Sequence, residues 1–249
     1  LDYIARLAQQ KDWSGAEAAL QALLKTNPRL LRLKQVDAQL RAKKKPEIYS
    51  STPAKGLAEA LYRVSTEMVN RTTAPTGILY ARLATALKPG FDDAFYLIGE
   101  ALASQQLPLD AYRAFDAIEK KSPIYLPTQT RKAGLLSDLG RTDDGINLMK
   151  QVVADSPDYV QGHVTLGDLY RADSDFQAAS DAYTAAVLVE HTETVDWFLY
   201  YARGITYEQT DNWPLAEADF MKALELKPND PFVLNYLGYS WIDRGINYD

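Results

Sequence analysis

The chain has 249 residues, 47% of them apolar and 24% charged, with a net charge of −6, enough to bury a substantial core in one or two domains. It contains no cysteine, which excludes disulfides, thiolate metal sites and a cysteine nucleophile, and no apolar run approaches the eighteen residues a membrane-spanning helix needs. The charge is uneven: residues 1–45 carry ten Lys and Arg against four Asp and Glu, while residues 46–249 carry seventeen against twenty-nine, so the acidic main body disfavours nucleic acid as a partner.

The first stretch, LDYIARLAQQ, predicts a helix that is already under way at Leu1, as expected of a portion of a longer chain. DWSGAEAALQALLKTNP predicts a second helix ended by Pro28. In RLLRLKQVDAQLRAKKK, a third helix gathers Leu30, Leu31, Leu33, Val36 and Leu40 mostly on one side. Residues 29–45 hold seven bases and one acid. They fit a connecting helix with a solvated face, or a docking element for an acidic partner or anionic lipid headgroups. PEIYSSTPAKG then predicts a loop, with prolines toward both ends and Ser/Thr suited to starting a helix.

From there a rhythm sets in. Small residues stand at Ser65, Gly99, Ala133, Gly167, Gly204 and Gly238, spaced by thirty-four except for one interval of thirty-seven. Twelve residues after each of the first five come Gly77, Ala111, Gly145, Ala179 and Ala216, and four later Ala81, Phe115, Met149, Tyr183 and Phe220. Pro89, Pro123, Pro157 and Pro228 close four of these units, and His191 takes the place in the other. Antiparallel helices approach closely only where both present small side chains, with larger neighbours filling the flanking grooves. Proline cannot continue the second helix. In KPNDPF, Asp230 is placed to cap the next helix and Pro231 to open it.

HVTLGDLY with AASDAYTAAV, and YARGITY with AEADFMKALELKP, resemble the tetratricopeptide repeat (TPR), whose signature runs W-x2-L-G-x2-Y, A-x3-F and P. The resemblance implies an all-α fold, a right-handed α-solenoid of antiparallel helix pairs. On this reading residues 1–28 are a partial N-terminal unit and 29–57 a basic connecting helix and loop. Residues 58–249 are an array of five full units and the first helix of a sixth. The signature tryptophan is replaced by Leu61, Phe95, Gln129, His163, Tyr200 and Leu234. Gln129 and Lys132 make the third unit of the array the least typical, with looser packing expected there.

Residues that could carry chemistry are sparse. Neither His163 nor His191 has an Asp, Glu or His at the helical ligand spacing of a zinc helix. Asp92–Asp93 and Asp143–Asp144 fall at helix starts, where the macrodipole favours negative charge. No phosphate-binding glycine loop is present. No catalytic residue, metal or cofactor is expected.

A TPR stack implies a concave side lined by first helices. The face left free by the packing positions comprises Tyr62, Arg63, Thr66 and Asn70, then Tyr96 and Glu100, Arg131, and Asp168 and Arg171. It continues with Phe198, Tyr201 and Glu208, and ends in Phe232, Asn235, Tyr236, Tyr239 and Asp243. This face is polar in the middle and aromatic toward the C-terminus, and the expected partner is a protein or peptide. NYLGYSWIDRG and TPAKGLAEALYRVS resemble a bacterial branch of TPR proteins. Many of that branch are envelope lipoproteins, and some are adaptors for carboxyl-terminal processing proteases. The resemblance thus implies a non-enzymatic scaffold in a bacterial envelope, periplasmic or at the outer membrane. The alternative is the substrate-selecting arm of a larger enzyme, such as a glycosyltransferase with its catalytic domain elsewhere in the chain.

Overall fold

The computed structural model describes residues 1–26, 31–46, 52–69, 73–189 and 196–246. Among them the secondary structure is helical: α1 (Asp2–Gln9), α2 (Trp13–Thr26), α3 (Leu31–Arg41), α4 (Pro53–Met68), α5 (Ala74–Leu87), α6 (Asp92–Ser104) and α7 (Pro108–Asp116), followed by α8 (Tyr125–Asp138), α9 (Thr142–Asp155), α10 (Val160–Ala172), α11 (Phe176–Val189), α12 (Trp197–Gln209), α13 (Trp213–Leu226) and α14 (Pro231–Arg244). The chain divides into two compact units, Leu1–Thr128 and Gln129–Asp249, with the division inside α8. Within each, helices pack on their neighbours in sequence, α4 on α5, α5 on α6 and α6 on α7 in the first, and α9 through α14 in turn in the second. Successive packing of this kind is the α-solenoid pattern.

The helix pairs are built by one turn used repeatedly. Seven residues after the small position of a first helix, the backbone enters the left-handed region at Gln106, Gly140, Ser174, Asp211 and Gly245, and Lys11 does the same after α1. The next amide then reaches back to a carbonyl in the last turn, as in Leu107 N–H to Leu102 O at 3.1 Å and Asn212 N–H to Tyr207 O at 2.8 Å. This is the Schellman ending, which satisfies carbonyls the helix would leave orphaned. The second helices stop at their prolines, with α5, α9 and α13 ending just before Pro89, Pro157 and Pro228. α7 ends earlier, well short of Pro123: Ile118 N–H bonds Phe115 O at 3.1 Å, tightening the chain so that Ile118 is buried. At α14, Asp230 accepts from the amides of Phe232 and Val233 with Pro231 in the first turn.

The expected approach of two small positions is seen at Gly145, where a Cβ would come within 2.8 Å of the Ala133 carbonyl oxygen, whereas in three other pairs the small residue faces a large ring. A Cβ built on Gly99 would come within 2.3 Å of the Phe115 ring, one on Gly167 within 2.6 Å of Tyr183, and one on Gly204 within 2.7 Å of Phe220. Each ring is fully buried and sixteen residues downstream of its glycine. Each such ring contributes about 1.5–3 kcal/mol by leaving water, and the missing Cβ makes the room for it. Gly238 differs. Nothing lies within 4 Å of a Cβ built there, because no helix among the described residues follows α14 to supply the covering ring. The expectation that Gly238 sits at a closed crossing is corrected accordingly. Gln129 and Lys132 of the atypical third unit are both buried, alongside a fully buried Ala133.

At the N-terminal end, Ile4, Ala8, Ala16, Leu20, Leu33, Val36 and Leu40 form one cluster joining α1, α2 and α3. Lys34, Arg41, Lys43, Lys44 and Lys45 are exposed beside it. Pro28, Leu30 and His191 lie outside the described residues.

Candidate functional site

The predicted face divides between the two units. In the first, the tyrosines serve packing. Tyr62 lies 5.0 Å from the Phe91 ring and Tyr96 lies 5.4 Å from Phe115, both half-buried. Arg63 and Thr66 are exposed on α4, where the Thr66 hydroxyl donates to the Arg63 carbonyl at 2.7 Å. Glu100 is half-buried on α6, and Asn70 lies outside the described residues.

In the second unit the structure brings several of the predicted residues together. Tyr201 on α12 contacts Phe198 at 6.1 Å, Tyr236 of α14 edge-on at 6.0 Å, and the buried Phe220 of α13 at 6.1 Å. Tyr236 rests on Phe220 at 5.3 Å and its hydroxyl donates to Glu208 at 3.3 Å, so it wedges α14 against α12. Phe198 (43% exposed), which meets Tyr201, turns outward, as do Phe232 (68%) and Tyr239 (68%) on the helix that carries Tyr236. Asn235 is exposed on the same helix as Tyr239, and Arg131 is exposed on α8.

The polar end of the strip lies on α10. The Tyr183 hydroxyl crosses from α11 to donate to Asp168 Oδ1 at 2.7 Å, and Arg171 Nη2 stands 3.8 Å from the same oxygen. Burial raises the Asp168 carboxyl above its ordinary range, against the opposing pull of that hydrogen bond and of Arg171. Burial likewise pushes the Tyr183 hydroxyl well up, reinforced by the Asp168 charge. Tyr201 is raised by burial and by Asp230, and lowered by Arg171. Asp168, Arg171, Tyr201, Glu208 and Tyr236 therefore share one electrostatic neighbourhood across α10, α12 and α14.

Sequence reasoning missed a polar clamp behind this face. Arg203 occupies the place of the signature leucine, yet it is only 13% exposed, with Asp219 at 8%. Its Nε and Nη2 donate to the two Asp219 oxygens at 2.7 and 2.8 Å, and Nη1 donates to Thr184 at 3.3 Å. Tyr200 and Tyr207 flank the guanidinium, each ring centroid 5.6 Å away. The signal was the arginine in YARGITY where the preceding unit has leucine in VTLGDLY. A second such feature joins α13 and α14: Trp241 Nε1 donates to Glu217 at 2.7 Å.

His163 is half-buried with Nε2 at 2.8 Å from the Pro157 carbonyl oxygen. Ser137 pairs with Thr142, and Ser240 donates to its own helix at Tyr236 O. Asp92–Asp93 and Asp143–Asp144 lie in the first turns of α6 and α9. Among the described residues, no three His, Cys, Asp or Glu side chains gather to hold a metal, and no helix is long and apolar enough to cross a membrane.

The same helix pairing recurs in known proteins. The chain matches the tetratricopeptide repeat family over two overlapping stretches, residues 130–195 and 164–232. A TPR repeat-containing protein of Pseudomonas aeruginosa is 24% identical over 159 residues, 63% of this chain but 26% of that protein, so the chain spans about a quarter of that relative's length. Among solved structures, MamA (41-end) from Desulfovibrio magneticus RS-1 is 21% identical with a TM-score of 0.56, covering 70% of this chain and 97% of its own. YrrB, described as a TPR protein with an unusual peptide-binding site, is 12% identical with a TM-score of 0.54, covering 75% of this chain and 98% of its own. At these identities the structural likeness concerns the fold. Helix pairing and recurrent turn agree with the family match over residues 130–232: the chain is similar to tetratricopeptide repeat proteins and shares their fold.

Proposed function

We propose that the face formed by α10, α12 and α14 binds a protein or peptide and that the chain acts as a scaffold without a reaction of its own. One observation carries this reading: Phe198, Phe232 and Tyr239 stand exposed on the two helices, α12 and α14, that the Tyr201, Tyr236 and Phe220 contacts hold together. Clustered exposed aromatics are unfavourable in water and mark interaction surfaces. Held on a rigid support, they anchor partners with little rotamer entropy left to lose. The peptide-binding site ascribed to YrrB supports the same use of the fold. The excess of acids over bases along residues 46–249 argues for protein over nucleic acid.

The resemblance of NYLGYSWIDRG to bacterial envelope TPR proteins supports placing this role in a bacterial envelope, with a processing-protease adaptor as its most specific form. The bacterial origin of the Pseudomonas relative is in keeping with that placement.

The test is selection of peptides from a displayed random library against the chain, followed by affinity measurement on variants. Phe232→Ser with Tyr239→Ser should weaken the selected peptides about tenfold or more, equivalent to about 1.4 kcal/mol. Met221→Ser, which changes an exposed residue of α13, should leave them unchanged. Equal loss in both, or in neither, would refute the assignment of the face.

A further inference from the structure

The chemistry of the strip also narrows what it would hold, an inference that rests on the binding role proposed for this face. Residues 129–249 carry nine Lys and Arg against twenty Asp and Glu, so the second unit has a strongly negative field that favours cationic partners. The strip itself sets a carboxylate on each of its three helices, Asp168 on α10, Glu208 on α12 and Asp243 on α14. Exposed aromatic side chains stand among them.

Arg171 and Arg244 lie nearby, and both are poorly placed to neutralise the ends of the strip. Arg244 is held 4.8 Å over the Trp213 ring and 3.7 Å from Glu208. Glu208 also accepts from Tyr236 at 3.3 Å and Gln209 at 2.9 Å, which leaves it largely satisfied. Arg171 reaches Asp168 only at 3.8 Å, too long for a good hydrogen bond. The Asp168 side chain remains 42% exposed, with Tyr183 holding one of its oxygens. Burial acts against its charge, and an incoming cation would relieve that cost. Asp243 is exposed one helical turn beyond Tyr239.

We propose that this strip takes a peptide segment in which basic side chains are interspersed with apolar ones. The basic groups meet Asp168 and Asp243, and the apolar ones cover Phe198, Phe232 and Tyr239. Carboxylates give ammonium or guanidinium groups charge-assisted hydrogen bonds, and the neighbouring rings offer their negative faces to the same cations. An acidic segment would meet the field of the unit and an unrelieved Asp168.

Three fluorescein-labelled peptides sharing one apolar framework, with Lys, Gln or Glu at the interspersed positions, test this by fluorescence anisotropy with the whole chain. The Lys peptide should bind about tenfold tighter than the Gln peptide, the worth of one charged hydrogen bond, and the Glu peptide weakest. Raising salt from ~0.1 M to ~1 M, which shortens the Debye length from about 10 Å to about 3 Å, should erase most of that difference. Asp168→Asn with Asp243→Asn should bring the Lys peptide down to the Gln peptide's affinity and leave the latter unchanged. The amide oxygen introduced by Asp168→Asn still accepts from Tyr183, so the fold is kept. Equal binding of all three peptides, lost in Phe232→Ser with Tyr239→Ser, would overturn the charge preference while leaving the binding face in place. Preference for the Glu peptide would overturn it too, making Arg171 the reader. If none of the three binds while peptides selected from the library do, the proposed chemistry fails; if library peptides are also lacking, the binding role itself fails.

Discussion

Removing Asp219 tests the packing argument where it is most exposed to failure. Asp219→Ala leaves the Arg203 guanidinium buried between Tyr200 and Tyr207 with only Thr184 at 3.3 Å to accept from it. Breaking a buried pair in this way costs about 3–5 kcal/mol, because the remaining charge has lost its partner. Against a total stability of about 5–15 kcal/mol for a domain, that is a large loss. Arg203→Leu alone should cost a similar amount by stranding Asp219. The preceding helix pair supplies the control, since it carries Leu166 and Ala182 at the corresponding places. Arg203→Leu with Asp219→Ala transplants that apolar pair and should cost less than about 1.5 kcal/mol, since a buried ion pair is often replaced by apolar packing without penalty. Urea unfolding followed by circular dichroism, analysed as a double-mutant cycle, gives the coupling. Single substitutions that each cost under about 1 kcal/mol, or that sum to the double, would refute the claim that the pair is buried and mutually dependent.

Other consequences concern the repeat itself. Gly204→Ala places a methyl 2.7 Å from the Phe220 ring and should destabilise by about 1–3 kcal/mol, less up to about 1 kcal/mol of helix propensity. Gly238→Ala meets no atom within 4 Å and should stabilise by up to about 1 kcal/mol; the two shifts in Tm should have opposite signs. Gln106, at φ 60°, sits in the left-handed region that costs an L-residue about 1–2 kcal/mol. Gln106→Gly should raise Tm, offset in part by the freedom glycine adds to the unfolded chain. Asp230 is held below its ordinary pKa chiefly by Lys227, with further help from the Phe232 and Val233 amides. Its contribution is therefore present above the unfolded carboxylate value near 3.9 and is lost as pH falls through the lower folded value. In an acid titration, Asp230→Asn should remove that part of the loss of α14 protection seen by hydrogen exchange.

Most of the helix pairing was legible because it depends on side-chain volume at fixed spacing. Gly99, Gly167 and Gly204 announce their crossings by size alone, and Pro89, Pro157 and Pro228 announce stops that no second helix can pass. The left-handed turn residues were not legible: Gln106, Ser174 and Asp211 share a conformation without sharing a chemistry, since the conformation is imposed by the helices on either side. Gly238 was misjudged for a related reason, because a small residue marks a crossing only where a partner helix supplies the ring. Of the predicted face, the outward direction of Phe232 and Tyr239 follows from helical period. The half-burial of Tyr62, Tyr96 and Tyr236 depends on rings from neighbouring helices, which period alone does not locate. The Arg203–Asp219 clamp shows the same limit, since its two residues are sixteen apart and meet only through the packing of α12 on α13.

Hydrogen–deuterium exchange on the chain with a library-selected peptide at saturation reaches the binding claim most directly, since it maps contact without presupposing which residues matter. Added protection concentrated in α10, α12 and α14, strongest around Phe198, Phe232 and Tyr239, is the predicted result. Protection concentrated instead in α11 and α13, or spread evenly over the second unit, would contradict it.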